Sequence, residues 1–117
     1  MKMKAVRVND GVVTIENVPE PDGQGVTVDI SSVGICGSDL HLIDAGMMSV
    51  TPGHEIAGIT KDGREVAIEP MLSCGVCSYC LDGEEPYCKD SLPNTFGIGI
   101  DGGMAERIIV PERFLIP

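Results

Sequence analysis

The 117-residue chain carries 18 acidic against 8 basic residues, a formal net charge of −10, and is 43% hydrophobic but only 3% aromatic. That is the length of one domain with a core of its own, and the acidic balance argues against nucleic acid or an anionic membrane as partner, since both reward clustered Lys and Arg. With no Trp and two each of Phe and Tyr, the core falls to Val, Ile, Leu and Met, while fifteen Gly and eight Pro break the chain into short strands rather than long helices.

Met3 to Val8 and Gly11 to Val18 are β-type runs joined at Asn9-Asp10-Gly11, where Asp-Gly suits a tight antiparallel hairpin. Pro19-Glu20-Pro21-Asp22-Gly23 cannot continue a strand. Val26 to Ile35 alternates for part of its length, with Val26, Val28 and Ile30 on one face, and delivers Cys36 at its end. A short helix begins next, with Ser38 or Asp39 available to cap its first turn. Past Gly46 and Met47-Met48, Thr51-Pro52-Gly53 turns the chain into a strand from His54 to Thr60. Arg64 to Glu69 continues with Val66 and Ile68 on one side, Met104 to Val110 forms a last clear strand, and Phe114-Leu115-Ile116 is either an edge strand or a docking surface. No apolar run reaches the length of a membrane span, and Met1-Lys2-Met3-Lys4 does not lead into a signal-type segment.

Cys74, Cys77, Cys80 and Cys88 organise the middle of the chain. They fall within fifteen residues, two C-x2-C steps followed by a gap of seven, so their sulfurs can converge on one ion. Zn²⁺ in a structural site takes four tetrahedral ligands of this kind. Disulfides fit poorly with an odd cysteine count. An iron–sulfur site fits poorly with the seven-residue gap and with Lys89 where the ferredoxin run has Pro. The lobe from Pro70 to Pro93 is therefore expected to be a zinc-stabilised excursion from a β scaffold. Reduced, metal-binding cysteines point to the cytoplasm.

Cys36 and His54 are a second constellation. Singly, each is better read as a buried small hydrophobe and a satisfied polar residue. Together they differ, because one ends a strand, the other starts one, and Asp39 and Glu55 stand beside them as carboxylates that could orient a ligating imidazole. Gly97-Ile98-Gly99-Ile100-Asp101-Gly102 matches the dinucleotide fingerprint by letter, but it leads into a strand, so it is read as a structural turn.

In combination, Cys36-Gly37-Ser38-Asp39-x-His41, Gly53-His54-Glu55-x-x-Gly58, the cysteine lobe and Asp101-Gly102-Gly103-Met104-Ala105-Glu106 closely resemble the N-terminal GroES-like catalytic domain of zinc-dependent medium-chain alcohol dehydrogenases. The resemblance covers nearly the whole chain. It implies a mainly β fold, a partly open GroES-like barrel with a zinc-binding loop lobe and short helices. It also implies that Cys36 and His54 hold a catalytic zinc, with Glu55 close enough to approach it, and that Asp39 orients His54. Ser38 would hydrogen-bond a substrate alcohol or polyol, His41 would end a proton relay through the cofactor ribose, and Cys74, Cys77, Cys80 and Cys88 would hold the structural zinc. The implied activity is zinc-assisted alcohol oxidation with hydride transfer to NAD or NADP. The family's Rossmann cofactor domain and a further zinc ligand are absent from residues 1–117, so the chain is expected to be inactive until that domain, or a homo-oligomer, completes it. Two other readings use the same residues: a stand-alone zinc-stabilised interaction module without catalysis, and a co-chaperonin-like ring subunit, for which the lobe would be unnecessary.

Overall fold

The computed structural model describes Met1–Pro117 throughout. Strand β1 (Lys2–Asn9) pairs antiparallel with β2 (Val12–Pro19) in the register Asn9↔Val12 to Lys2↔Pro19. The two turn residues both adopt positive φ, 48° at Asp10 and 78° at Gly11, the conformation that matches a two-residue turn to the strands' twist. The Asp-Gly pair thus does what its chemistry predicts.

A second sheet runs β6-β3-β4-β5-β7 and is antiparallel throughout. Its strands are β3 (Val26–Gly34), β4 (Glu55–Thr60), β5 (Glu65–Ile68), β6 (Arg107–Val110) and β7 (Leu115–Ile116). Helix α1 (Gly37–Asp44) follows β3, and the one-turn α2 (Ser78–Leu81) lies in the lobe. The alternation read from the sequence holds where it matters: Val28, Val66, Ile68, Ile108 and Val110 turn inward with Ile56, Phe96 and Phe114 to form the main core. Full burial of one such side chain stabilises by about 1.5–3 kcal/mol.

The fold is mainly β, and its barrel is not closed. The hairpin forms its own small sheet and docks through Val6 N–H to the Met104 carbonyl (2.8 Å), Glu106 N–H to the Lys4 carbonyl (3.2 Å), and a cluster of Met3, Ala5 and Val18 with Ala105. A cavity of about 380 Å³ lies between hairpin and sheet, lined in part by Met3, Val18, Phe96 and Ile108. No helix is long and apolar enough to cross a membrane.

Two expectations are corrected. The strand expected over Met104 to Val110 is shorter, because Gly102, Gly103 and Met104 give their N–H groups to the Thr51–Gly53 segment and Ala105 bridges Ala5. Cys36, not Ser38 or Asp39, is the N-cap of α1. Asp39 works from within the first turn, accepting the Cys36 backbone N–H at 3.0 Å. Of the two readings of the apolar end, the edge strand is what forms: Leu115 and Ile116 pair with Ile68 and Ala67 and Phe114 is buried, while Ile116 stays 48% exposed.

Candidate metal centres

The cysteine lobe leaves the sheet after β5 and returns before β6, and its neck is closed by backbone. The Pro70 carbonyl accepts Phe96 N–H (2.9 Å), the Asn94 carbonyl accepts Leu72 N–H (3.3 Å), and Met71 bridges Thr95. Arg113 bonds the Ser73 carbonyl at 2.6 Å and lies 4.1 Å over the Phe114 ring, fixing the lobe to the end of the barrel.

Within the lobe, the Sγ atoms of Cys74, Cys77, Cys80 and Cys88 all lie within 4.8 Å of one another, and Cys74 and Cys80 stand 3.9 Å apart. Sulfurs bound about 2.3 Å from a tetrahedral zinc are about 3.8 Å from each other, whereas a disulfide needs about 2.05 Å. All five cysteines are free. The donor set therefore suits a tetrahedral thiophilic ion.

Backbone N–H groups point at these sulfurs: Cys77 N–H to Cys74 (3.3 Å), Gly75 N–H to Cys80 (3.4 Å) and Cys74 N–H to Cys88 (3.5 Å). They favour thiolate. The N–H groups of Cys74 and then Asp90 hold the Cys88 thiol down at about 6, and those of Val76 and Cys77 lower Cys74. Cys77 differs: the Cys80 backbone N–H pulls it down, but burial and the thiols of Cys80, Cys74 and Cys88 outweigh that and push it up to about 11. Four thiols this close cannot all ionise without a cation among them.

The second centre is assembled by antiparallel pairing of β3 with β4. A bulge between Ile30 and Ser32 shifts the register, after which Val33 faces Ile56 and Gly34 faces Glu55. The end of β3 and the start of β4 are therefore neighbours, which carries Cys36 and His54 to the same place from residues 18 positions apart. Ligand atoms of Cys36, His54 and Glu55 lie within 4.8 Å of one another. Glycine at position 34 makes room for the carboxylate, since a Cβ there would sit 2.6 Å from Glu55 Oε2.

Asp39 is 1% exposed, and its Oδ1 lies 3.5 Å from His54 Nδ1. Neither atom has a hydrogen-bond partner. A proton on Nδ1 and a small closing movement would satisfy both, leaving Nε2 as a lone-pair donor. A ligating histidine is held in this way. Ser38 lies beside the same centre, its hydroxyl donating to Cys36 Sγ at 3.3 Å. His41 stands three residues further along α1, exposed, on the same side of the helix as Ser38. Among Cys36, Ser38, Asp39, His54 and Glu55 the structure brings together every residue expected, with His41 at the margin.

The glycine-rich loop has a role that letter matching missed. Gly97 and Gly102 pack against the Gly53 backbone, and a Cβ on Gly102 would meet the Gly53 carbonyl oxygen at 2.2 Å. Gly102, Gly103 and Met104 donate to the carbonyls of Thr51 (2.7 Å), Gly53 (2.9 Å) and Pro52 (3.0 Å). No helix follows and no phosphate cradle forms. The loop instead grips the segment that leads into His54, and adjacent glycines were the available sign of such close backbone approach.

Comparison with known proteins matches residues 22–117 to the family model for the alcohol dehydrogenase GroES-like domain. An NAD-dependent alcohol dehydrogenase of Saccharolobus solfataricus is 38% identical over 117 aligned positions, which cover 81% of this chain and 33% of that protein. An L-threonine 3-dehydrogenase of Bacillus subtilis is 35% identical, covering 94% of this chain and 37% of that protein. Among solved structures, the D-arabinose dehydrogenase of Sulfolobus solfataricus superposes with a TM-score of 0.82 at 26% identity, over 99% of this chain and 40% of that one. The chain thus spans about a third of the length of the curated relatives it matches.

Proposed function

The chain belongs to the alcohol dehydrogenase GroES-like domain family, and on that premise we propose that it is the zinc-binding catalytic domain of an NAD(P)-dependent alcohol or polyol dehydrogenase. The observation that carries this reading is the convergence of Cys36, His54 and Glu55 from the facing ends of β3 and β4, with a buried carboxylate behind the imidazole. Catalytic zinc sites use three protein ligands and keep a position open. In this reading residues 1–117 are the GroES-like domain, its zinc lobe spans 70–93, and a Rossmann cofactor domain comes from outside these residues.

Zinc at Cys36 and His54 would supply Lewis acidity toward an alcohol oxygen, with a nicotinamide as hydride acceptor. This chain's residues do the rest. Asp39 holds the His54 ring through Nδ1, and Glu55 offers a third, exposed ligand that can swing. Ser38 orients the substrate hydroxyl and accepts its proton at Oγ as its own proton passes on through the cofactor ribose, and His41 ends that relay. Cys74, Cys77, Cys80 and Cys88 hold a structural zinc. The alcohol or polyol class follows from the relatives' names, and five free thiols suit a reducing cytoplasm.

The test is zinc per chain in protein purified without chelator or added metal. Two ions in the wild type and one in His54→Ala or Cys36→Ala support the second centre; one in the wild type sinks it. Mixing the chain with a matching cofactor domain should then restore NAD(P)-linked alcohol oxidation, and failure with every matching domain counts against an enzymatic role.

A further inference from the structure

We propose that Asp101 is a positioning residue for the second metal centre, setting His54 through the backbone of Thr51, and that it acts by the acceptor it offers rather than by its charge. The inference rests on the reading that Cys36 and His54 hold a metal. It concerns a residue that no expectation placed near that metal.

The segment Thr51-Pro52-Gly53 leads directly into His54, and its last residue adopts φ +104° with no side chain to brace it. Its stiffness must come from outside. Thr51 is 2% exposed, and each of its polar groups is bound. Its N–H donates to Asp101 Oδ1 at 2.8 Å, its carbonyl accepts Gly102 N–H, and its hydroxyl donates to the Val6 carbonyl at 2.7 Å. Arg7 Nη1 reaches both the Thr51 hydroxyl (3.2 Å) and Asp101 Oδ1 (2.9 Å). Hairpin, metal segment and glycine loop therefore meet at one carboxylate oxygen.

Every other bond to this segment is made by backbone or to a hydroxyl. Asp101 alone supplies a side-chain acceptor for the buried Thr51 N–H, so its loss leaves that donor unpaired three residues from a metal ligand. The Arg7–Asp101 ion pair contributes little in its own right, because the Asp101 side chain is 57% exposed and water screens the pair. What sets His54 is the geometry of the accepting oxygen. Asparagine would keep that oxygen and drop the charge.

The test is a cobalt(II) titration of the full chain, followed by thiolate-to-metal absorption and by native mass spectrometry. The lobe ion reports an intact fold, and the second ion reports His54. In Asp101→Ala the lobe ion is retained and the second binds about tenfold more weakly or worse, the lower end of what supporting residues of metal ligands cost. Asp101→Asn stays within about twofold of the wild type, since it keeps the acceptor. Asp101→Ser, which draws the acceptor back from Thr51, is read as the alanine variant is if that chain fails to fold. Glu112→Ala breaks the exposed pair with Arg64 elsewhere on the barrel and should leave the second ion unchanged. The proposal is overturned if Asp101→Ala binds the second ion normally, if Asp101→Asn is as weak as Asp101→Ala, or if Glu112→Ala weakens it equally. A wild-type chain that takes only the lobe ion overturns this inference and the reading beneath it. Two ions in the wild type with Asp101→Ala unaffected overturns this inference alone.

Discussion

Replacing Cys88 by alanine tests what holds the lobe. Cys88 is the one buried ligand of the four, at 4% exposure. Of residues 74–92 only it and Ser91 are buried, while Val76, Tyr79, Leu81 and Tyr87 face water. None of these residues belongs to the main barrel core. The lobe has no apolar interior, and a metal would take the place of one. Structural zinc in a four-ligand site is worth an apparent ~10–16 kcal/mol, so one thiolate carries roughly a quarter, about 2.5–4 kcal/mol. At about 1.4 kcal/mol per tenfold this is ~60- to ~700-fold in zinc affinity. Chelator competition measures that affinity, and hydrogen exchange reads lobe and barrel separately. We expect amide protection to collapse across 74–92 while β3, β4 and β6 keep theirs. Undiminished zinc affinity in Cys88→Ala, or a metal-free lobe as well protected as the zinc-bound one, would refute the argument that the ion replaces a core.

Acidification should loosen the same lobe. Folded Cys88 titrates at about 6 against a thiol's usual 9.0, so its contribution to the metal-free lobe is full above pH 9 and is lost as pH falls through about 6; Cys77, pushed up to about 11, works the other way and loses its contribution as pH rises through that value. Exchange rates of lobe amides between pH 5 and 9 check the sign, and rates unchanged beyond the intrinsic pH dependence of exchange contradict it. Asp39→Ala removes both the acceptor for Cys36 N–H and the carboxylate behind His54, and should weaken a metal at the second centre by ~10- to ~100-fold; equal affinity by cobalt titration would show that Asp39 only caps the helix. Gly102→Ala drives a Cβ onto backbone at 2.2 Å and should cost at least ~3 kcal/mol. Gly63→Ala, with φ +89° and nothing within 4 Å, should cost only ~1–2 kcal/mol. Calorimetry should therefore place the Gly102 variant at least ~4 °C below the Gly63 variant, and the reverse order would mean that the loop can yield.

Most of the scaffold was legible because its signals are local. Asp10-Gly11 demands a tight turn, the alternation around Val28 and Val66 demands one buried face, and two C-x2-C steps demand convergence, whatever the remainder of the chain does. One error sits where a distant segment competes, the other where a neighbour three positions away does. Met104 to Glu106 has strand composition, yet the Met104 N–H goes to the Pro52 carbonyl, the Ala105 N–H to the Gly103 carbonyl and the Glu106 N–H to the Lys4 carbonyl of β1. Ser38 has the better capping chemistry, yet the turn begins at Cys36 because Asp39 reaches back to that N–H.

The cysteine lobe is therefore a property of the primary structure: its ligands are near neighbours, and short spacers leave their sulfurs few ways not to meet. The second centre is of another kind. Nothing in the spacing of Cys36, Asp39, His54 and Glu55 obliges them to converge. Their meeting depends on the register of β3 against β4, on the bulge at Ser31 that resets it, and on the grip of Asp101 and Gly102–Met104 on the segment before His54. Those are hydrogen bonds between residues as far apart in the chain as Pro52 and Met104, satisfied only once the sheet has formed, and no local pattern of residues encodes them.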